Sequence, residues 1–130
     1  MPGKLSLHLF EIIRQHSILL NKCVSYMRIL KDIYNRDVRL TQEREEHFII
    51  DHPEMRAQLD KLRETLSAPE KIVRSKTDSQ VELFYRHYDS TPVTRKYLCI
   101  VVKAPAEDTF IITAYFTDTI KKGEILWPKN

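Results

Sequence analysis

Three cationic side chains with tyrosines between them are the residues of this sequence best suited to chemistry. Arg74, Arg86 and Lys103 lie in three successive apolar segments that would form neighbouring β-strands. Arginine presents a fork of donors to phosphate, and an aromatic ring can stack on a nucleobase. The cluster therefore predicts a surface that binds phosphate or nucleotides. The alternative is structural: cations at strand ends extend to water, and tyrosines fill half-buried sheet positions.

More polar side chains accompany these cations on the same predicted strands. Alternation along residues 81–88 puts Tyr85 on one face, and Arg86 and Tyr88 on the other. Thr113 and Tyr115 share one face of a later strand, at positions where Val or Ile would be expected. All of these side chains can donate or accept hydrogen bonds, so they are candidates for contact with a substrate.

A histidine with carboxylates beside it lies on a predicted helix. Glu43, His47 and Asp51 recur every four residues and therefore share one helix face. A carboxylate next to a histidine can support acid–base catalysis, whereas an exposed face of ion pairs is the alternative. Neither His47 nor His52 has the spacing of a zinc-binding helix. We predict no metal site, and we interpret His52 as a turn or capping residue.

A run of short strands must position the sheet-borne candidates. After Pro69 the apolar period changes to that of strands, separated by turns such as the one that holds Pro105. Residues 97–102 are almost continuously apolar, as in a central strand covered on both faces. The expected elements are strands at 71–75, 81–88, 97–102 and 110–116, a helical turn at 117–122, and a closing segment at 125–127.

The first half of the chain is predicted to be mainly helical. An apolar stripe over residues 5–30 indicates an amphipathic helix, although residues 27–34 fit a strand equally well, and we favour a short hairpin at 30–40. Thr41 is a good N-cap for a helix at 42–51. A third helix is expected from Pro53, with Met55, Leu59, Leu62 and Leu66 on its apolar stripe. Helices followed by an antiparallel meander define the α+β class.

Composition limits the classes of protein that remain. A chain of 130 residues with 30% charged residues and two glycines is one globular domain, and it has no glycine-rich phosphate loop. The net charge of +3 is compatible with a polyanionic partner. Cys23 and Cys99 are far apart, so we expect no disulfide and a reducing, cytoplasmic location. Polar residues interrupt the apolar run at 18–20, so neither a signal peptide nor a membrane span is expected.

A resemblance joins several of these segments. In order along the chain they read TQEREEH (41–47), DHPE (51–54), IVRS (72–75), LFYR (83–86), YLCIVVK (97–103), FIITAY (110–115), IKKG (120–123) and Trp127. This pattern resembles the small phage and bacterial nucleases of the barnase–EndoU–colicin–RelE (BECR) group. The resemblance covers residues 30–127. It implies N-terminal helices packed on a curved antiparallel sheet, with the active cleft on the open face of the sheet.

The resemblance also implies an activity. Active members cleave RNA without a metal or other cofactor by directing the ribose 2′-hydroxyl at the adjacent phosphate. Carried over by position, Arg86 and Lys103 would stabilise the phosphate, and His47 or Tyr115 would move protons. Substrate contacts are expected from Arg74, Tyr85, Tyr88 and Thr113. The sequence departs from barnase-like enzymes because it has no clear Glu/His pair on the sheet.

The expectations are thus an amphipathic N-terminal helix at 1–29 and a single α+β nuclease-like domain at 30–130. The expected activity is that of a metal-independent endoribonuclease of toxin or phage-associated type. RNA and a cognate antitoxin or immunity protein would be its partners. The alternative is an inactive domain that binds protein or nucleic acid and forms a homodimer through its N-terminal helix.

Overall fold

A seven-stranded mixed sheet with two α-helices forms the fold in the computed structural model, which describes residues 25–129. The strands are β1 (Met27–Lys31), β2 (Asp37–Thr41), β3 (Lys71–Arg74), β4 (Val81–Tyr88), β5 (Lys96–Lys103), β6 (Thr109–Thr117) and β7 (Ile125–Trp127). The helices are α1 (Gln42–Asp51) and α2 (Leu59–Ser67), with a 3₁₀ turn at Pro53–Met55 between them. The predicted α+β class is confirmed.

The sheet order is β1-β2-β6-β5-β4-β3-β7. Strands β3 to β6 form the predicted antiparallel meander, and β1 pairs with β2 as a hairpin. Strand β2, however, runs parallel to β6, so the expectation of a wholly antiparallel sheet is wrong. Alternation along a strand reports which face a residue lies on but not its distant partner, so the sequence could not reveal this pairing.

The predicted hairpin at 30–40 is confirmed and extends further than expected. Its strands pair from Met27 with Thr41 to Lys31 with Asp37, and Asn35 in the turn has a left-handed backbone with φ of 64°. The predicted boundary between residues 29 and 30 therefore falls inside β1, and the helix expected over residues 5–30 is wrong for residues 27–30. The rest of that helix, up to residue 24, lies outside the described residues.

The helices begin close to where the sequence predicted, with one difference. The hydroxyl of Thr41 accepts a hydrogen bond from the backbone N–H of Arg44 at 3.2 Å, so the predicted N-cap is confirmed. The single third helix expected from Pro53 is wrong, because Ala57 has a φ of 63° and the backbone leaves the helical region there. Helix α2 therefore begins only at Leu59.

Both faces of the sheet bury apolar side chains. On the helix side, α1 and α2 cover a core that includes Phe48, Leu62, Phe84 and Ile100. On the opposite face, called the open side, a smaller cluster contains Val73, Val81, Leu83, Tyr85 and Cys99. Strand β5 thus contributes to both cores, as its continuous apolar sequence predicted.

The segment at 118–124, called the crossing segment, connects β6 to β7 across the open side. The helical turn expected at 117–122 is wrong: the segment runs without regular structure, Ile120 packs on the open-side core, and the Lys121 N–H donates to the Tyr85 hydroxyl at 3.1 Å. An extended chain spans about twice the distance per residue of a helix, which the path across three strands requires. Gly123 lies against Val73 and the Arg74 carbonyl, where a Cβ would clash.

Within residues 25–129, no helix has the length and apolar character needed to cross a membrane.

Candidate functional site

The three predicted cations lie on adjacent strands, but the structure does not bring them together. Arg86 pairs with Leu98 on the helix side, whereas Lys103 pairs with Val81 on the open side. Arg74 ends β3 at the turn before β4. The expectation that these three residues share one phosphate-binding surface is therefore wrong. Arg86 and Lys103 point away from opposite faces of the sheet.

Each of these cations already has a protein partner. Nη1 of Arg86 donates to the carbonyl of Ala68 at 2.7 Å, and its Nε lies 3.6 Å from a Glu64 carboxylate oxygen. Nε of Arg74 donates to Glu124 at 2.8 Å. Nζ of Lys103 donates to the carboxylate of Asp78, which lowers the pKa of Asp78 below its ordinary value. All three cations therefore hold neighbouring segments in place.

Two of the predicted tyrosines are also engaged within the fold. Tyr88 lies on the helix side, where its hydroxyl donates to Glu64 at 2.7 Å and burial raises its pKa to about 12. Tyr85 is fully buried on the open side, and burial raises the pKa of its hydroxyl. That hydroxyl accepts the hydrogen bond from the Lys121 N–H in the crossing segment. Neither tyrosine is free to contact a substrate.

Thr113 and Tyr115 differ from this group because both are only partly buried on the open side. They pair with Val101 and Cys99 of β5. Cys99 is paired with Tyr85 on one side and Tyr115 on the other, and burial raises the pKa of Cys99 to about 11. Burial also raises the pKa of Tyr115. The Tyr115 ring contacts the His52 ring, with 5.4 Å between centroids and a tilt of 33°.

Strand β2 lies beside only the first residues of β6, and helix α1 lies beside the rest of that strand. Strands β2 and β6 pair only at Val38 with Thr109 and at Arg39 with Phe110. Beyond that point the chain turns into α1, so a cleft of about 180 Å³ opens between helix and strand. Its lining residues are Arg39, Thr41, Glu43, Arg44, Phe110 and Ile111.

His47 lies on α1, three residues after Arg44, and is exposed. Residues 44, 47 and 51 follow one side of α1, since they are three and four positions apart. On that side, Arg44 lines the cleft together with Phe110 and Ile111. His52, directly after the helix, contacts Tyr115. Exposed His47 lies on α1 between Arg44, which lines the cleft, and His52, which contacts Tyr115.

The α1–β6 cleft, defined here as Arg44, His47, His52, Thr113 and Tyr115 together with the lining just given, is the candidate site. It unites three predicted site residues with two that sequence reasoning did not select. Arg44 forms no ion pair with another residue of the described part of the chain, whereas Arg39 is held by Asp108 through two hydrogen bonds of 2.9 and 2.7 Å. Arg44 thus supplies an exposed cation.

A sequence signal for Arg44 did exist, because it lies one turn before His47 on the same side of α1. His52 carried no such signal. Its predicted capping role is confirmed, since its N–H donates to the Phe48 carbonyl at 2.7 Å. Its contact with Tyr115 depends on how α1 lies against β6, which local sequence does not specify.

Comparison with protein-family models, with curated proteins and with solved structures finds no match to this chain. No group of three His, Cys, Asp or Glu side chains within residues 25–129 is placed to hold a metal ion. The function must therefore be argued from the chemistry of the α1–β6 cleft.

Proposed function

We propose that this chain acts on RNA as a small endoribonuclease-like domain and that the α1–β6 cleft is its site. One observation carries the proposal: His52, at the end of α1, contacts Tyr115 of β6, and exposed Arg44 lines the cleft between the same two elements. Histidine is the side chain best suited to exchange protons near neutral pH, and arginine binds phosphate with a fork of donors. This combination fits cleavage of a phosphodiester without a metal.

The reaction would be an internal transesterification of RNA. One of the two histidines, His47 or His52, takes the proton of the ribose 2′-hydroxyl, and the 2′-oxygen then forms a bond to the adjacent phosphorus. The bond from phosphorus to the 5′-oxygen breaks, and the other histidine gives a proton to that oxygen. Arg44 would donate hydrogen bonds to the phosphate oxygens as charge builds up. The products are a 2′,3′-cyclic phosphate and a 5′-hydroxyl.

The finer fold assignment, to the BECR group with its RelE-like members, is part of the same proposal. Its support is the helix layer on one face of the antiparallel strands β3 to β6. Under this proposal RNA is the substrate, and a cognate antitoxin or immunity protein would restrain the activity in the cell.

Cleavage of RNA in the presence of EDTA tests the proposal. Purified protein is incubated with transfer and messenger RNA, and the new ends are analysed for 2′,3′-cyclic phosphate. Replacing His52 or His47 by Gln should lower the rate by about 10²- to 10⁴-fold, the usual contribution of acid–base catalysis. The control is His87→Gln, because His87 lies two strands away from β6 and contacts Tyr97 at 5.0 Å. Intact RNA with every protein would overturn the proposal.

A second candidate is a domain that binds RNA or protein without cleaving it. The observation that favours it is the burial of Tyr115, which raises the pKa of its hydroxyl and makes it a poor group to move protons. In this case a fluorescent RNA would bind and stay intact, and expression of the protein would not arrest growth. A nuclease of toxin type would arrest growth unless its inhibitor were also present.

A further inference from the structure

Strand β1 is an edge of the sheet, and its backbone is arranged to accept another strand. The Tyr26 carbonyl accepts from Gln42, and the Asp32 N–H donates to Arg36, each at 3.2 Å. Residues 26, 28, 30 and 32 therefore direct their N–H and C=O groups toward β2. By alternation, Met27, Ile29 and Lys31 direct theirs away from the sheet. Within residues 25–129, no backbone group bonds to that outer edge.

Three large apolar side chains are exposed on this edge, beside the cations Arg28 and Lys31. Met27 is 50% exposed and Ile29 is 43% exposed, and neighbouring Tyr26 is 44% exposed. Monomeric proteins usually protect such an edge with charges, proline or a bulge. The only charge on the outward-facing residues is Lys31, which is already paired with Asp37. An apolar edge of this kind marks a protein contact.

We infer that β1 pairs with β1 of a second copy of this chain, antiparallel and centred on Ile29. In this arrangement Ile29 faces Ile29 of the partner subunit, and Met27 faces Lys31 of the partner subunit. All three outward-facing residues then meet residues whose backbone groups also point outward, so each donates and accepts a hydrogen bond. The strand is self-complementary, as a two-fold interface requires.

Charge selects the antiparallel direction. A parallel pairing in register would place Lys31 against Lys31 of the partner subunit, and like charges directly opposite each other destabilise a sheet. The antiparallel pairing separates the two lysines by the length of the strand and places each beside a methionine. It also puts Arg28 across from Leu30 of the partner subunit, so no two cations meet on the helix side.

The two-fold axis of such a pair is perpendicular to the sheet. The open sides of both copies therefore face the same direction, and the two α1–β6 clefts lie on one surface. If the proposed function is right, one RNA strand can contact both clefts. The dimer itself rests only on the geometry of β1.

The mass of the full chain in solution, measured by light scattering over a wide range of concentration, tests the inference. Ile29→Pro removes one outward N–H but no bond to β2, so the variant should fold and be a monomer. Ile29→Lys adds a charge at the centre of the interface and should also be a monomer. The matched control is Ile50→Lys, because Ile50 is a 75% exposed isoleucine on α1, and this variant should remain a dimer.

A wild-type protein that stays monomeric at every concentration overturns the inference. A dimer that persists in both Ile29 variants also overturns it and points to a contact elsewhere, such as the helix predicted before residue 27. The result is separable from the proposed function. Monomeric Ile29→Lys should still cleave RNA, since Ile29 lies outside the α1–β6 cleft.

Discussion

The β3–β5 end of the sheet and the α1–β6 cleft use their charged side chains in different ways. At the β3–β5 end, Arg74, Arg86 and Lys103 are each bound to a carboxylate or carbonyl of the same chain. In the α1–β6 cleft, Arg44 and His47 are exposed, and neither has an ion pair with another described residue. The first group holds the fold together, whereas the second is available to a ligand.

The difference shows why a cationic pattern in a sequence is weak evidence for a binding site. An arginine that already donates to a carbonyl of its own chain must give up that hydrogen bond before it can bind phosphate. An exposed arginine loses only its bonds to water. An arginine can therefore be poorly suited to bind phosphate at one place in a fold and well suited at another.

Among the cations of the two regions, loss of Arg44 should have the largest effect on activity. We expect Arg44→Ala to lower the rate of RNA cleavage by about 10²-fold, the usual effect of removing one group that stabilises charge in a transition state. Its thermal midpoint should not change, because Arg44 has no ion pair within residues 25–129. Arg63→Ala is the control, since Arg63 is an exposed arginine on α2. Equal rates for the two variants would remove Arg44 from the site.

Loss of Arg36 should have the largest effect on stability. Its guanidinium bridges buried Asp32 and Glu82, with a distance of 2.7 Å to each carboxylate, and so ties the β1–β2 turn to β4. Arg36→Ala leaves the Asp32 carboxylate buried without its cation, and we expect a loss of about 3 kcal/mol in the free energy of unfolding. Urea denaturation measures this loss. Arg95→Ala should change the same quantity by less than about 0.5 kcal/mol, because Arg95 and Asp89 are both exposed.

Loss of Arg86 should lower stability modestly and should leave RNA affinity almost unchanged. Its hydrogen bond to the Ala68 carbonyl links β4 to the end of α2, and the side chain is 30% exposed. We therefore expect Arg86→Ala to lower the free energy of unfolding by about 1 kcal/mol. RNA affinity, measured by fluorescence anisotropy, should match the wild type. A weaker RNA affinity with unchanged stability would indicate that RNA binds at the β3–β5 end instead.

The contribution of Cys99 to stability should depend on pH only in the alkaline range. Folding raises its pKa from about 9 to about 11 through burial, so the stabilisation of its protonated form is complete below pH 9 and is lost as the pH rises towards 11. The difference in unfolding free energy between wild type and Cys99→Ala should therefore be constant from pH 7 to about 9 and then shrink. A difference that stays constant up to pH 11 would mean that the thiol is not shielded.

Much of the fold could be predicted because its signals are local. Alternation identified β4 and its two faces, the apolar run of β5 identified a central strand, and Thr41 identified the start of α1. Elements that depend on distant partners were missed. These are the parallel pairing of β2 with β6 and the path of the crossing segment, both of which follow from where the chain must travel.

The candidate site was predicted in part for the same reason. Residue type and periodicity select His47, Thr113 and Tyr115, and these lie on the neighbouring elements α1 and β6. Lys103 and Arg86 are expected on one surface because their strands are neighbours. The alternation of side chains along those strands nevertheless places them on opposite faces of the sheet. His52 was assigned only a capping role, since its contact with Tyr115 crosses from the end of a helix to a distant strand.

The most direct test of the central claim is to map RNA binding by NMR, with a 2′-O-methyl RNA strand that cannot be cleaved by this route. Chemical-shift changes are expected at the amides of Arg44, His47, Thr113 and Tyr115. The amides of Arg74 and Arg86 should keep their positions. Shifts concentrated at Arg74, Arg86 and Lys103, or no shifts at all, would contradict that claim.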